Sequence, residues 1–315
     1  MKTKLIYEFR EKILHNLEHV IIGKTKTLNL VIMGLICHGH LLIEDVPGLG
    51  KTMIAKSLAI SLGCDFKRMQ FTPDMLPSDV TGVSIFNQAT KKFEFQPGPI
   101  IAEIVLADEI NRATPKTQSA LLEAMEERQV TVDGITHLLP STFMVIGTQN
   151  PIEYEGTFPL PEAQLDRFLM KIRIGYPSES TEMQILDAQQ FQHPIQKIKS
   201  VTTRNELKKV QDEVKHVFVS NAVKNYLIKI VRSTRENDDI YLGASPRGSL
   251  ALYKVGQAFA AFQGREYVTP DDIKEIVEPV LVHRIVVQPA ARIKNLTANQ
   301  ILNEIIDSVP ISVER

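Results

Sequence analysis

Hydrophobic and polar residues follow two different periodicities along the 315-residue chain. In the first half, short apolar runs bounded by Gly, Pro, Asp or Asn alternate with segments of helical periodicity. This alternation predicts a parallel β-sheet covered by helices on both faces. Its buried strands are predicted at Leu41–Ile43, Phe66–Phe71, Ile104–Ala107, Phe143–Ile146 and Phe168–Ile172.

Two segments of the first half lie outside this alternation. Between the second and third predicted strands, Pro and Gly residues surround two alternating stretches, Val83–Asn87 and Lys92–Gln96, which predict a hairpin-bearing insertion. The segment from Met1 to Lys24 carries frequent charges and predicts an amphipathic helix rather than a signal peptide. Its apolar positions at helical spacing are Ile6, Phe9, Ile13, Leu17 and Val20.

After about residue 175 the strand-like runs end and helical periodicity continues almost to the C-terminus. Ser245 and Thr269 each precede a proline and are expected to be N-caps of helices with Pro at the first helical position. We therefore expect an α/β domain over residues 1–176 and a small all-helical domain over 177–315. Representative predicted helices are Ser180–Gln190, Ser220–Ser233, Pro246–Phe262 and Pro270–Pro279.

Composition and charge limit the classes of function. Lys plus Arg number 36 and Asp plus Glu 37, so no overall positive field favours nucleic acid as a partner. No apolar run approaches the roughly 20 residues that span a bilayer, and membrane insertion is not expected. The two cysteines, Cys37 and Cys64, are too few for a disulfide framework or a four-thiolate zinc site. The cytoplasm is the expected compartment.

The strongest chemical signal is the glycine-rich segment Val-Pro-Gly-Leu-Gly-Lys-Thr at residues 46–52, between the first strand and a helical pattern. Gly48 and Gly50 would let backbone amides wrap a phosphate, Lys51 would reach the outer phosphates, and Thr52 would bind magnesium. Asp45 departs from the usual pattern, which has glycine at that position. The loop can still fold with Asp there, and the sequence leaves open whether an acid beside the phosphates reduces the affinity for nucleotide.

A second signal is the pair of acids, Asp108 and Glu109, at the end of the strand Ile104–Ala107. Ligands of parallel sheets bind at the carboxyl ends of the strands. Asp108 is predicted to hold magnesium and Glu109 to polarise the attacking water. An acidic helix cap is the simpler alternative for the pair taken alone.

Three more polar side chains are candidates for the same site. Asn150 follows the strand Phe143–Ile146, where it could orient water or serve as a turn residue. Arg167 and Arg247 each lie at a helix boundary, where a guanidinium can bind phosphate oxygens in a bidentate manner. We expect these side chains to complete the phosphate site.

Together, the phosphate loop, the acidic pair, Asn150, Leu-Asp-Arg-Phe at 165–168 and Ser-Pro-Arg at 245–247 resemble an AAA+ ATPase. Two segments resemble the MoxR family in particular: Asp-Glu-Ile-Asn-Arg-Ala at 108–113 and Gly-Thr-Gln-Asn-Pro at 147–151. The resemblance covers about residues 21–289. It implies that Asn150 is sensor 1, Arg167 is an arginine finger given to the neighbouring subunit, and Arg247 is sensor 2. It also implies that the 73–99 insertion is the helix-2 insert, facing a central pore.

The resemblance further implies a P-loop AAA+ core with a lid domain, the cofactors ATP and Mg²⁺, and a homo-oligomer, expected to be a hexameric ring. We expect Arg247 to close on nucleotide bound by its own chain. The resemblance also implies client protein complexes, or partners with von Willebrand factor A domains, but it identifies no particular client. The expected nucleotide-binding residues are Ile22, Gly23, Pro47, Gly48, Leu49, Gly50, Lys51, Thr52 and Met53, with Thr52 and Asp108 at the metal.

Two other functions are compatible with these motifs. A nucleotide-gated scaffold with little turnover would require a missing catalytic acid or finger, but Glu109 and Arg167 are both present. A DNA-acting motor would require a basic pore or an added DNA-binding module. Neither is visible in the sequence, although a few lysines could lie in a pore.

His38 and His40 lack further ligands at metal-binding spacing and are expected to be structural. Arg112 could act across a subunit interface or form a local ion pair.

Overall fold

The computed structural model describes residues 2–152 and 156–311 of the chain. Met1, where the predicted N-terminal helix starts, and residues 312–315 of the predicted helical domain lie outside the described residues. The strands are β1 (Leu41–Glu44), β2 (Phe66–Gln70), β3 (Gly82–Asn87), β4 (Lys92–Pro97), β5 (Ile104–Asp108), β6 (Gln129–Val132), β7 (Ile135–Leu138), β8 (Met144–Gln149), β9 (Met170–Ile172), β10 (Ile240–Leu242) and β11 (Val286–Val287).

Helices are distributed along the whole chain and dominate its second half. They are α1 (Lys2–Glu18), α2 (Thr25–Ile36), α3 (Lys51–Leu62), α4 (Pro77–Thr81), α5 (Pro115–Glu127), α6 (Glu162–Leu165), α7 (Glu179–Gln189), α8 (Arg204–Glu213), α9 (Asn221–Glu236), α10 (Pro246–Phe262), α11 (Pro270–Leu281), α12 (Pro289–Ile293) and α13 (Ala298–Ser308). Short 3₁₀ turns occur at Ile110–Arg112, Pro194–Gln196 and Val214–His216.

The five predicted strands form one parallel sheet in the order β2-β5-β8-β1-β9, which confirms the predicted α/β core. Successive side chains of a strand point to opposite faces. In β5, Ile104 and Leu106 face the helices α1 to α3, whereas Val105 and Ala107 face α5. All strands run the same way, so the sheet has one amino edge and one carboxyl edge.

One strand is less buried than its sequence suggested. β2 lies at the sheet edge, and the side chains of Lys67, Arg68 and Gln70 are exposed. The apolar flanks Phe66 and Phe71 led to the prediction of a buried strand, which is wrong for these three residues, although Met69 between them is buried. Polar side chains are common on edge strands, and those of Arg68 and Gln70 reach the candidate site.

Two hairpins project from the core. The predicted insertion hairpin is formed by β3 and β4, paired antiparallel from Gly82↔Pro97 to Asn87↔Lys92. A second hairpin, β6–β7, was not predicted. The rings of Phe95 and His137 stack with centroids 3.8 Å apart and connect the two hairpins.

The second half is a helical lid, as predicted, with one addition. The short strands β10 and β11 pair antiparallel between its helices. Ser245 accepts a hydrogen bond from the Arg247 amide, and Thr269 forms a capping box with Asp272, as their predicted N-cap roles require. The helix α11 continues past Pro279 to Leu281.

The lid and the sheet share a continuous hydrophobic core. Phe9 and Leu17 of α1, Ile43 of β1 and Val255 of α10 belong to the same buried cluster. No helix within the described residues is long and apolar enough to cross a membrane. The continuous core fixes the lid against the sheet, which determines the position of the lid side chains discussed below.

Candidate functional site

The phosphate loop connects the carboxyl end of β1 to the first turn of α3. Gly48 and Gly50 have φ angles of +87° and +84°, a region that favours glycine, and Gly50 is the N-cap residue of α3. Lys51 and Thr52 are the first two residues of that helix. The free amides and dipole of the helix N-terminus therefore point to the same side as the lysine, an arrangement suited to an anion.

Lys51 is held close to the loop by backbone oxygens. Its Nζ donates to the carbonyl of Asp45, and lies 3.5 Å from the carbonyl of Gln149 at the end of β8. Burial lowers the pKa of Lys51, while the nearby carboxylates of Asp45, Asp108, Glu109 and Glu44 oppose this shift. The lysine and the acidic pair are thus neighbours at the carboxyl edge of the sheet.

The unusual Asp45 has a structural role. Its Oδ2 accepts hydrogen bonds from the amides of Ile174 and Gly175, both at 2.8 Å, and its Oδ1 accepts from the amide of Val46 at 3.0 Å. The carboxylate is thereby engaged by three backbone donors rather than directed to a phosphate. It joins the start of the phosphate loop to the connection between β9 and α7.

Asp108 ends β5 and has partners on both neighbouring strands. Its Oδ1 accepts a 2.6 Å hydrogen bond from the hydroxyl of Thr148 on β8. Its Oδ2 accepts from the Arg68 guanidinium of β2, at 2.6 and 3.1 Å. The carboxylate is therefore held in a defined orientation beside the phosphate loop.

Glu109 adopts an unusual backbone conformation, with φ of +56°. Such a conformation is uncommon for residues other than glycine and persists where surrounding contacts hold it. The Glu109 amide donates to the Thr148 hydroxyl at 2.9 Å, and Oε2 accepts from Gln70 at 2.7 Å and from Arg112 at 3.1 Å. The ion pair with Arg112 is local, one of the two alternatives considered for that residue.

Arg68, Gln70 and Thr148 were missed as site residues. Arg68 and Gln70 are two residues apart and therefore lie on the same face of β2. The flanking apolar residues Phe66 and Phe71 obscured this polar pattern in the sequence. Thr148 is completely buried, and its position before Asn150 at the end of a parallel strand was the available signal.

Asn150 lies directly after β8, on the same carboxyl edge as the acidic pair. Its side chain is 7 % exposed, and its Oδ1 accepts a 3.2 Å hydrogen bond from the Ile152 amide. This bond is that of a local turn. Asn150 thus lies near the phosphate loop and the acidic pair, and its side-chain oxygen accepts a hydrogen bond within the local turn.

A cavity of about 230 Å³ adjoins the phosphate loop, between the α1–α2 connection and α7. Gly23 has φ of +72°, and a Cβ there would come within 2.9 Å of Thr181 in α7. Pro47 is exposed at the tip of the loop, and Thr52 lies in the first turn of α3. The cavity lining includes Ile22, Gly48, Leu49, Gly50, Met53, Ile174, Gly175, Ile185 and His193.

The two candidate arginines converge on one carboxylate at the opposite edge of the sheet. Arg167 Nε is 3.0 Å from Oε2 of Glu126, and Arg247 pairs with Oε1 of the same side chain. A surface cavity of about 170 Å³ is lined by these three residues together with Met125 and Asp166. Both guanidiniums are partly exposed there.

The structure does not bring Arg247 to the phosphate loop of its own chain, where it was expected to close on nucleotide, but pairs it with Glu126. Its neighbour Glu126 lies in the last turn of α5, close in the chain to Arg128, whose guanidinium donates to the carbonyl of His38 just before β1. Arg247 is therefore at the amino edge, and the four residues of β1, at about 3.3 Å each, separate this edge from the phosphate loop. The physical reason is that the lid packs against the segment preceding β9.

His38 and His40 are tied to the backbone near this edge. His40 accepts at Nδ1 from the Val145 amide at 2.9 Å, and its Nε2 lies 3.1 Å from the carbonyl of Met125. Burial lowers the pKa of His40 to about 3, with a further contribution from Arg128. The neutral ring thus connects β8 and the end of α5.

Comparison with known proteins matches both halves of the chain. Residues 40–170 match the model of the ATPase family associated with various cellular activities (AAA), and residues 232–305 match the AAA lid domain. The uncharacterized protein YeaC of Bacillus subtilis is 51% identical over 304 residues, covering 96% of this chain and 95% of YeaC. The chaperone MoxR1 of Mycobacterium tuberculosis is 38% identical over 310 residues, covering 96% of this chain and 82% of MoxR1.

A crystal structure of a Cytophaga hutchinsonii protein, provisionally described as an ATPase, superposes with a TM-score of 0.91. It is 37% identical, and the match covers 99% of this chain and 97% of that one. The fold, the loop geometry and these relatives agree. The chain belongs to the MoxR family of AAA+ ATPases.

Proposed function

We propose that the chain binds ATP with magnesium, hydrolyses it, and uses the released free energy to remodel or mature client protein complexes. The observation that carries the proposal is the juxtaposition at the carboxyl edge of the sheet. There Lys51, in the first turn of α3, has its Nζ 3.5 Å from the Gln149 carbonyl at the end of β8. The preceding residue of β8, Thr148, is hydrogen-bonded to the Asp108 carboxylate and the Glu109 amide. A site for anions next to two acids suits a metal-assisted phosphoryl transfer to water.

The side chains present fit a magnesium ion. Mg²⁺ prefers hard oxygen ligands and is commonly bound by one or two protein groups together with phosphates. The Thr52 hydroxyl and the Asp108 carboxylate would hold it, and when bound it would neutralise charge on the outer phosphates. Lys51 would leave the Asp45 carbonyl for a phosphate oxygen.

Glu109 is assigned the work of orienting and polarising the attacking water. Its positive φ and its bonds to Gln70, Arg112 and Thr148 keep the carboxylate at one place on the edge. Asn150, on the adjacent strand end, would donate its amide to the same water.

Arg167 and Arg247 would act on nucleotide held by a neighbouring protomer, since their own phosphate loop is at the other sheet edge. Contacts between two different surfaces of identical chains close into rings, and we propose a hexamer. The hairpin β3–β4 exposes Val83, Ile85 and Phe93. This apolar surface would contact the client, and a partner with a von Willebrand factor A domain is a further candidate.

We assign residues 1–176 to the nucleotide-binding core and 177–315 to the lid. We place the protein in the cytoplasm, where its two unpaired thiols would stay reduced. No nucleic acid is required for the proposed activity.

Two variants test the separate roles of Lys51 in ATP binding and Glu109 in hydrolysis. Lys51→Ala is expected to lose ATP binding, whereas Glu109→Gln should bind ATP and lose turnover by roughly a hundredfold or more. Fluorescent ATP-analogue binding and phosphate release would be measured for both. Lys116→Ala and Glu123→Gln, which change exposed residues of α5, are the matched controls. Turnover at the wild-type level in Glu109→Gln would refute the assignment.

A further inference from the structure

The segment that carries Arg167 is held by the lid through Asp166. Asp166 Oδ1 accepts a 2.8 Å hydrogen bond from Nε of Arg284, and Oδ2 accepts one of 2.8 Å from the hydroxyl of Ser245. Arg284 follows α11, and Ser245 precedes α10. One core carboxylate therefore binds two separate parts of the lid.

The bond to Arg284 is well buried. The Arg284 side chain is 3% exposed and that of Asp166 is 15% exposed. Arg284 also donates to the carbonyls of Phe168 at 2.6 Å and Leu169 at 3.1 Å. The guanidinium thus fixes the backbone on the C-terminal side of Arg167 while the Asp166 carboxylate fixes the N-terminal side.

The same carboxylate also locates Arg247. Ser245 is the N-cap residue of α10 and accepts a 3.1 Å hydrogen bond from the Arg247 amide. Arg167 is adjacent to Asp166 in the chain, so a short path leads from the carboxylate to each arginine. Both guanidiniums pair with the Glu126 carboxylate, so the two charged groups already lie close together.

We propose that Asp166 is a positioning residue for Arg167 and Arg247: it sets their spacing so that both act together on an anionic phosphate group held by a neighbouring protomer. The inference rests on the proposed function. A carboxylate suits this role because its two oxygens accept from two donors at once, one of them charged. Asparagine would offer one oxygen and no charge.

Asp166→Asn tests the proposal. Displacement of reacting groups by a fraction of an ångström to an ångström has large kinetic effects, so turnover should fall roughly tenfold or more. Binding of a fluorescent ATP analogue should stay within about twofold of wild type, since the phosphate loop is at the other edge. Mixing Asp166→Asn with Lys51→Ala subunits should restore turnover, while mixing it with Arg167→Ala should not.

These outcomes separate positioning from a general loss of structure. Unchanged turnover in Asp166→Asn, or a parallel loss of ATP binding without rescue by Lys51→Ala, would overturn the inference. Asp212→Asn, an exposed carboxylate paired with Lys215, is the matched control. If Asp166→Asn does not fold, Ser245→Ala removes one arm of the contact and should show the same rescue pattern. Absence of phosphate release from ATP by the wild-type protein would instead reject the proposed function, whereas full turnover in Arg167→Ala would reject only the role of that arginine.

Discussion

At the scale of single residues, Asp45 shows how an apparent defect in a motif can be structural. The sequence places an acid at the start of the phosphate loop, where a carboxylate could repel phosphate. The structure instead engages its carboxylate with the amides of Val46, Ile174 and Gly175. Charge-assisted bonds to backbone amides are among the stronger hydrogen bonds in proteins.

Replacing Asp45 should therefore weaken the site rather than improve it. Asp45→Ala leaves partly buried amides without their acceptor, and the free energy of unfolding should fall by about 1–3 kcal/mol. ATP affinity should fall as well, because Ile174 and Gly175 line the adjoining cavity. Urea unfolding and ATP-analogue titration check both effects, with the exposed Asp74→Ala as control. Tighter ATP binding at unchanged stability would mean that repulsion dominates.

His40 and His283 predict how stability depends on pH. Burial lowers the pKa of His40 to about 3 and that of His283 well below its usual value. The folded pKa is depressed, so below about pH 6.5 the unfolded chain binds protons that the folded chain does not. Their contribution to stability is complete above that pH and is lost as the pH falls.

Between pH 6.5 and 5, each of these two histidines should lower the free energy of unfolding by up to about 1.4 kcal/mol per pH unit. This window lies above the usual range of carboxylate titration. Urea unfolding at several pH values would measure the slope. His40→Gln should reduce the slope by about one proton, and His216→Gln, at an exposed position, should leave it unchanged. A flat stability profile in the wild type would contradict the buried, neutral state.

At the scale of elements, local patterns predicted those parts of the fold whose signals are local. The five sheet strands, the insertion hairpin and α10 have boundaries close to the predicted ones. Hydrophobic runs and helix caps depend only on neighbouring residues, so they could be predicted from the local sequence. The hairpin β6–β7 was missed although Asp133–Gly134, with φ angles of +50° and +79°, is a strong hairpin signal. Gln-Val-Thr-Val in β6 alternates polar and apolar residues, but each strand of the hairpin has only four residues, which makes the pattern a weak signal.

The candidate site was only partly predictable for the same reason. The phosphate loop and the acids are contiguous motifs, whereas Arg68, Gln70 and Thr148 reach the acids from other strands. Strand order is a long-range property, so nothing local indicated these pairings. The placement of Arg247 depended on a contact between Arg284 and Asp166, separated by 118 residues.

At the scale of the whole molecule, the phosphate loop and the two arginines occupy opposite edges of one sheet. Under the proposed function, a single chain carries half of one site at each edge. A complete site would then require the carboxyl edge of one protomer to meet the amino edge of the next, a contact that can repeat around a ring. The catalytic groups of each site would thus be divided between two protomers.

Mixing two inactive variants tests whether the catalytic groups are divided between protomers. Arg167→Ala retains an intact phosphate loop and Lys51→Ala retains both arginines, so up to about a quarter of randomly formed interfaces should combine the intact halves. Phosphate release should be restored in the mixture, with subunit exchange verified by fluorescent labelling. Arg247→Ala mixed with Lys51→Ala should be restored as well, because Arg247 lies at the same edge as Arg167. Absence of restoration despite confirmed exchange, or full turnover by an isolated protomer, would contradict the account.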